Sequence, residues 1–422
     1  MAYRSLHSGA GSNPGFFVDL IRPNPVIKSG MINVMGGVKM FETKTNEPVI
    51  TAEELVKRHL LIVGQTWSGK TTSTLSLLSD LQQSNQTTIV FDPTGEYSKL
   101  PNTITYRFGD NAYLDAGQLS IDELVGLLNL ADLSTTTKQA LQEAITALRY
   151  QANIANQAQP YRFINRPVKE WQAAMRQLGH WSGHYAIDLL ADQLIECLVE
   201  PATDGPANYQ LMGQGYAKER LQDNWPLITT LRTQLGETVF QELFATQPGK
   251  QLQYELNFVL QMFLKHPSHH RTLVIDLSLL KNLPVSQQVV LSVLFKQILQ
   301  YRLSQGATFP VQVVLDEAHR YLPTDERTLP NNGIFQLARE GRKVQAGLIL
   351  TTQSPLDLPA SLRSQFAHQL IHHLGSAEEW SSLLGDCPYQ TLPTGQAIIH
   401  GLHQQIEERQ VQLPTWWEKE DK

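Results

Sequence analysis

The sequence predicts an α/β fold in which helices cover both faces of a parallel sheet. Short runs that are apolar at every position recur along the chain, and apolar residues at helical spacing fill much of the sequence between them. Strands that are apolar throughout are typical of a sheet buried on both faces. The chain of 422 residues, 41% of them hydrophobic, is long enough to bury such a sheet.

The predicted sheet begins at Leu60. The apolar run Leu60–Val63 ends at Gly64, and residues 70–81 follow as a helix. A second run, 88–91, is stopped by Asp92-Pro93, a pair typical of a turn. Later elements are expected to be a helix over about 286–304 and strands at 272–276, 311–316, 347–352 and 368–372.

Three further segments are expected around a core that comprises 51–116 and 266–405. Residues 1–50 carry Gly, Pro and Asn between short apolar runs, which predicts a short β-rich N-terminal region, a reduced barrel-like unit. Residues 117–265 predict a helical insertion, because their apolar residues recur at helical spacing. Residues 406–422 are expected to form a C-terminal tail, whose end, residues 416–422, is exposed.

Composition excludes several classes of protein. A formal net charge of −6 and a pI near 6.1 exclude a globally basic nucleic-acid binder, but not a basic lining inside a pore. Cys197 and Cys387 have no neighbouring ligands, so neither a disulfide framework nor a zinc site is expected, and His269-His270 and His372-His373 lack acidic partners for a metal. Without a leader or an apolar run of about 20 residues, we expect a cytoplasmic protein that does not enter a membrane.

A phosphate-binding loop (P-loop) is the most specific motif in the chain. Residues 64–71, GQTWSGKT, match GxxxxGK[ST] between a predicted strand and a predicted helix. Lys70 would neutralise the β- and γ-phosphates, and the Thr71 hydroxyl would bind Mg²⁺. The remaining residues of the expected ATP site would cradle the phosphates at the helix N-terminus: Gly64, Gln65, Thr66, Trp67, Ser68, Gly69 and Thr72.

An acidic pair follows the predicted strand at 311–315. Asp316 would hold Mg²⁺ through water, and Glu317 would orient and deprotonate the attacking water. An Asp-Glu pair after a strand is also compatible with a turn and a helix cap. The P-loop upstream favours the catalytic interpretation.

The chain resembles the HerA/FtsK group of hexameric DNA-translocating ATPases, and within it the bacterial and archaeal HerA-like branch. The resemblance covers residues 50–415, and its motifs occur in the family's order. Besides the P-loop, they are Arg58-His59, FDPTGEYS at 91–98, DEAHRYL at 316–322, REGRK at 339–343, TTQ at 351–353 and GQAIIHG at 395–401. The resemblance implies a RecA-like P-loop ATPase core, with the helical insertion where that branch carries one.

The resemblance also implies roles for four residues outside the P-loop and the acidic pair. Glu96 would be a second carboxylate that polarises water, and Gln353 would sense the γ-phosphate. Arg342 would reach the nucleotide of a neighbouring subunit, and Arg58 would contact phosphate. On the residues alone, Asp-Pro-Thr-Gly is also a good turn, a polar residue often ends a strand, and a surface arginine is often only solvated.

Trp67 departs from the family, whose P-loop carries Gly at this position. If the backbone there needs a positive φ, Trp would be strained by about 1–3 kcal/mol. We predict that ATP binding survives and that the indole covers the nucleotide or touches a neighbouring subunit.

These features predict a ring-forming, hexameric, ATP-dependent translocase or helicase of double-stranded DNA that acts with a nuclease or another effector, in DNA end processing or anti-phage defence. A conjugation or secretion ATPase is one alternative, and an ATP-gated scaffold that assembles an effector without translocating is another. Asp316–His319 also spells the DEAH helicase motif, but Lys70 and Asp316 are too widely separated for that class.

Overall fold

The structure of the protein is a computed structural model that describes residues 40–41, 50–130, 133–179, 182–244, 253–267, 272–323, 326–402, 407–412 and 414. The predicted N-terminal region therefore lies outside the described residues, except for Met40, Phe41 and Ile50. His269-His270 and residues 415–422 of the predicted tail also lie outside them.

A nine-stranded, mostly parallel sheet forms the centre of the described chain, in the order β13-β12-β11-β1-β10-β9-β2-β8-β3. Its parallel strands are β1 (Leu60–Val63), β2 (Thr87–Asp92), β3 (Thr103–Arg107), β8 (Thr272–Asp276), β9 (Val311–Leu315), β10 (Ala346–Thr352) and β11 (His368–Ile371). Two antiparallel strands, β12 (Gln396–His400) and β13 (Glu407–Gln410), complete one edge.

This architecture confirms the predicted fold class, an α/β protein with a parallel sheet. The six predicted strands are present with bounds that differ by no more than a residue at either end. The sequence patterns do not predict β3, β12 or β13. Strand β3 lies at the edge and is only partly buried, so its residues lack a continuous apolar run. Residues 407–410, predicted to belong to a tail, instead form the edge strand β13.

Helices cover both faces of the sheet. They are α1 (Ala52–Val56), α2 (Lys70–Gln83), α3 (Ile121–Leu127), α4 (Thr135–Tyr150), α5 (Val168–Met175), α6 (Leu190–Cys197), α7 (Lys218–Leu235), α8 (Thr238–Phe244), α9 (Leu256–Lys265), α10 (Pro284–Gln305), α11 (Gly333–Glu340), α12 (Ala360–Arg363) and α13 (Ala377–Leu384). None of the helices in the described ranges is both long and apolar enough to cross a membrane.

Two hydrophobic clusters lie on the two faces of the sheet because successive side chains of a strand point to opposite sides. Leu60 and Ile62 pack with α1 and α2 on one face, whereas Leu61 and Val63 belong to a larger cluster on the other. That larger cluster also contains α10, α11 and the helices of residues 117–265. Two short two-stranded sheets accompany these helices: β4 (Ala112–Tyr113) with β7 (Tyr254–Glu255), and β5 (Val199–Glu200) with β6 (Gly215–Tyr216). The domain boundaries stay predictions.

The order β1-β10-β9 determines what can meet at the carboxyl edge of the sheet. Strand β10 pairs in parallel with β1 on one side and with β9 on the other. The residues that follow β10 therefore lie between the loop after β1 and the residues after β9. The amino ends of the same three strands lie together at the opposite edge.

Candidate nucleotide-binding site

The loop after β1 turns sharply into α2. Gly64 has no room for a side chain, because a Cβ atom there would lie 2.6 Å from Cβ of His372 and 2.7 Å from Oγ of Ser68. Gly69 precedes the helix with φ of 112°, a conformation that favours glycine. Backbone N–H groups of the first turn of α2 remain available to a ligand, since a helix N-terminus leaves them without intrahelical partners.

Lys70 is folded back onto the loop. Its Nζ donates hydrogen bonds to the carbonyl oxygens of Gly64, at 2.6 Å, and Gln65, at 3.2 Å, and lies 4.0 Å from Oε1 of Glu317. Burial lowers the pKa of Lys70, and the carboxylates of Glu317, Asp316 and Glu96 oppose that shift. The ammonium group is thus held at the loop's opening, where phosphate oxygens would replace the carbonyls.

Asp316 and Glu317 are held by a single hydroxyl group of β10. The Thr351 hydroxyl donates a short hydrogen bond to Oδ1 of Asp316 and accepts one from the backbone N–H of Glu317 at 2.9 Å. Burial raises the pKa of Asp316 to about 6, and the neighbouring Glu317 and Glu96 carboxylates act in the same direction. A divalent cation would offset the free-energy cost of a buried, ionised carboxylate. The oxygen atoms of Asp316 and Thr71 are ligands that suit Mg²⁺. The residues present therefore fit a Mg²⁺ site.

Besides Lys70, the Glu317 carboxylate faces two side chains, Gln353 at the end of β10 and the nearby His319. Gln353 donates from Nε2 to Oε1 of Glu317 at 3.1 Å, and Nδ1 of His319 lies 3.4 Å from Oε2. Gln353 in turn accepts a hydrogen bond from the Thr66 hydroxyl at 3.3 Å. The polar end of β10 therefore connects the P-loop to the proposed base.

Glu96 owes its position to Asp92. The Asp92 carboxylate, fully buried at the end of β2, accepts hydrogen bonds from four backbone N–H groups, those of residues 94–97. These bonds shape the turn in which Gly95 takes a φ of 84°. The turn directs Glu96 to the nucleotide cavity, where it is exposed.

An open cavity of about 580 Å³ collects most of the predicted site residues. It is lined by Gln65, Thr66, Trp67, Gly69, Lys70, Thr71, Thr72, Glu96, Asp316, Glu317 and Gln353, together with Thr94, Arg320 and Thr394. Gly64 and Ser68 are buried in the loop next to these residues. Trp67 has a φ of 66°, so the backbone does adopt the conformation that would strain a tryptophan.

Arg58 and Arg342 lie elsewhere. Both are exposed and line a second cavity, of about 610 Å³, at the amino edge of the sheet. Arg58 precedes β1, and Arg342 lies in the turn before β10. The structure thus brings these two arginines together but separates both from the P-loop cavity of their own chain. The predicted contact of Arg58 with phosphate, and that of Arg342 with the nucleotide of a neighbouring subunit, both stay predictions.

Sequence reasoning missed three supporting residues. Thr351 and Asp92 occur in the quoted motifs, but their partners cannot be read from local spacing. His372 is fully buried beneath the loop, where its ring contacts the Ser73 hydroxyl at 2.9 Å and the Gln396 carbonyl at 3.0 Å. Burial lowers its pKa to about 4, so the ring is neutral at physiological pH. The sequence offered one signal for His372: the glycines of the P-loop indicate that another part of the chain approaches the loop closely.

The fold and this site define a P-loop ATPase. A family model described as "Helicase HerA, central domain" matches residues 40–298, which is more than half of the chain. The chain belongs to this family, as its motifs predict.

Curated relatives of the chain include proteins named as helicases. The DNA double-strand break repair helicase HerA of Sulfolobus acidocaldarius is 34% identical over 120 residues, which cover 26% of this chain and 23% of that protein. The probable helicase MJ1565 of Methanocaldococcus jannaschii is 23% identical over 358 residues, which cover 80% of this chain and 58% of that protein. The chain thus spans less than two thirds of the length of these relatives.

Two solved structures share the fold. VirB4 of Thermoanaerobacter pseudethanolicus superposes with a TM-score of 0.58 at 16% identity, covering 91% of this chain and 98% of that chain. The bacterial conjugative coupling protein TrwB superposes with a TM-score of 0.52 at 13% identity, covering 89% and 92% of the two chains.

Proposed function

We propose that the protein hydrolyses ATP with Mg²⁺ as a subunit of a hexameric ring. The ring would translocate double-stranded DNA. The observation that supports this proposal best is the arrangement of one cavity, in which the P-loop lysine faces Asp316 and Glu317 and the end of β10 connects them. Such a cavity contains the groups needed to bind a nucleoside triphosphate and activate water.

The residues have distinct tasks in the proposed hydrolysis. Lys70 releases the loop carbonyls and binds the phosphates, while Thr71 and Asp316 would hold Mg²⁺. When bound there, Mg²⁺ would supply positive charge to the phosphate oxygens. Glu317 accepts the proton of the attacking water, with Gln353 fixing one of its oxygens. Glu96, which lines the same cavity, contributes a second negative charge that orients this water.

The separation of Arg58 and Arg342 from the cavity supports a ring. The two arginines lie at the amino edge of the strands whose carboxyl ends form the cavity. Two different surfaces on opposite edges of one chain suit head-to-tail association, which closes into a ring when the rotation between subunits allows it. An arginine provided by the neighbour would then complete the site.

The cavity does not identify the substrate or the partner. We propose DNA as the substrate, and a nuclease or defence effector as the partner, on the basis of the family. Relatives in the family are named as DNA double-strand break repair helicases. Because the chain spans only part of the length of these relatives, helicase activity on DNA is a proposal for this protein.

The test is ATP turnover with and without linear duplex DNA. We expect DNA to stimulate turnover, and Glu317→Gln to reduce turnover by about 10²-fold or more while ATP still binds. Glu378→Gln, which changes an exposed glutamate on α13, is the matched control and should behave as wild type. Turnover that ignores DNA, combined with an effector that stays active in Glu317→Gln, would favour the ATP-gated scaffold instead.

A further inference from the structure

Trp67 is the most exposed large hydrophobic residue in the described chain, with 91% of its surface accessible. It lies in the P-loop itself and lines the mouth of the nucleotide cavity. Its φ of 66° is unusual for a bulky residue, which is strained in this region of backbone space. The chain therefore presents an indole to solvent from a strained position.

Contacts within the described chain do not account for this indole. No aromatic pair and no cation–π pair that joins described residues involves Trp67. Covering an apolar ring that is exposed to water with a second surface lowers the free energy of the system.

The cavity at the amino edge of the sheet offers chemistry that suits an indole. Arg58 and Arg342 are both exposed there, and Pro310 is an exposed apolar residue in the same lining. Guanidinium groups stack favourably on the face of tryptophan, the best aromatic partner for a cation.

The carboxylates of that cavity already have partners. Glu54 caps α1 and accepts hydrogen bonds from the Thr51 backbone N–H, at 3.0 Å, and from the Thr51 hydroxyl. Glu53 accepts one from Gln86 at 3.5 Å. No described ion pair engages either arginine of the cavity.

We propose that Trp67 of one copy of this chain inserts into the cavity between Arg58 and Arg342 of the next copy. The occupant of the cavity is thus a second copy of the same chain. This inference rests on the proposed ring for its assembly, and it adds a specific contact that involves a residue at which the chain departs from its family. The contact would join the phosphate-binding backbone to the neighbour's arginines, so nucleotide binding and association would strengthen each other.

A photo-cross-linking amino acid in place of Trp67 tests the contact directly in the full-length protein. With Mg²⁺ and a non-hydrolysable ATP analogue, we expect cross-links between subunits to residues 56–58 or 342–347. Cross-links that remain within one chain, or that reach another part of the neighbour, would contradict the proposal.

Trp67→Gly provides a second measurement, because glycine adopts a positive φ without strain and the variant should fold. We expect the protein concentration for half-assembly, measured with saturating nucleotide analogue so that a change in affinity at the P-loop itself does not enter, to rise at least tenfold. Tyr209→Ala, which removes an aromatic ring that is 80% exposed in the segment between β5 and β6, is the control and should assemble as wild type.

The outcomes separate this inference from the proposed function. Trp67→Gly that assembles and hydrolyses like wild type refutes the contact and leaves the ATP-driven ring intact. Loss of nucleotide affinity in the unassembled variant would mean that the indole covers the nucleotide instead. A wild-type protein that stays monomeric with nucleotide and DNA would overturn both proposals.

Discussion

Gln353 donates a hydrogen bond from Nε2 to Oε1 of Glu317, with 3.1 Å between the two atoms. Gln353 also contacts the P-loop, because the Thr66 hydroxyl donates a hydrogen bond to Oε1 of Gln353. A γ-phosphate that enters the cavity would compete for these donors. Gln353 is therefore positioned to transmit the presence of the phosphate to Glu317.

Replacing Gln353 with Ala should slow hydrolysis more than it weakens binding. Without the amide, Glu317 loses a partner that fixes its carboxylate, and a misplaced base costs about 10²-fold in rate. We expect kcat to fall by about that factor while the Kd for ATP stays close to wild type. Single-turnover kinetics and equilibrium binding measure the two quantities. An equal loss in both would assign Gln353 to binding rather than to positioning the base.

Thr351→Val should weaken Mg²⁺ binding. Valine has nearly the same shape but lacks the hydroxyl that donates to Asp316 and accepts from the Glu317 backbone. Loss of a group that orients a metal ligand typically lowers metal affinity by 10–100-fold. We expect a shift of about tenfold in the Mg²⁺ dependence of nucleotide binding.

Thr352→Val is the matched control, since that hydroxyl contacts His319 and the Ser354 carbonyl instead of Asp316. An identical Mg²⁺ shift in both variants would mean that loss of any hydroxyl at the end of β10 is responsible.

Binding of Mg²⁺ with nucleotide should depend on pH through Asp316. Burial raises the pKa of this carboxyl to about 6, so the group is protonated below that pH and Mg²⁺ must displace the proton. We expect Mg²⁺ affinity to fall about tenfold per pH unit below pH 6 and to be constant above pH 7. Calorimetry between pH 5 and pH 8 measures this. A flat profile would contradict the assigned role.

Asp316→Asn should stabilise the nucleotide-free protein at pH 8. A carboxyl whose pKa is higher in the folded than in the unfolded state makes folding less favourable once it is ionised. The difference between about 6 and the ordinary 3.8 corresponds to about 3 kcal/mol at most. Chemical denaturation at pH 8 should show a gain that shrinks at pH 5, whereas a loss at pH 8 would mean that the hydrogen bond from Thr351 outweighs burial.

Asp92→Ala should loosen the turn that carries Glu96. The variant leaves four backbone N–H groups without their acceptor, and loss of hydrogen bonds to a charged group costs about 2–3 kcal/mol. We expect the free energy of unfolding to fall by that amount, and kcat to fall further than in Asp110→Ala, an exposed control that should change stability by less than about 0.5 kcal/mol. Unchanged kcat in Asp92→Ala would remove Glu96 from the proposed reaction.

Much of the fold was predictable because it depends on local patterns. Apolar runs identify the buried strands, and β8 has the predicted bounds at both ends. Strand β13 was not predictable in this way, because its four residues are all polar or charged and it joins the sheet by pairing with β12. Strand β12 does carry a short apolar run, Ala397–Ile399, which the motif GQAIIHG contains but which was not assigned to a strand.

The sequence by itself determined the chemistry of the nucleotide site, because a P-loop and an acidic pair each require particular residue types at a fixed spacing. Only the tertiary structure decided which residues meet. The insertion of β10 between β1 and β9 brings Gln353 and Thr351 to the acidic pair. The same strand order leaves Arg58 and Arg342 together at the opposite edge. Strand order depends on contacts between distant segments, which local spacing does not encode.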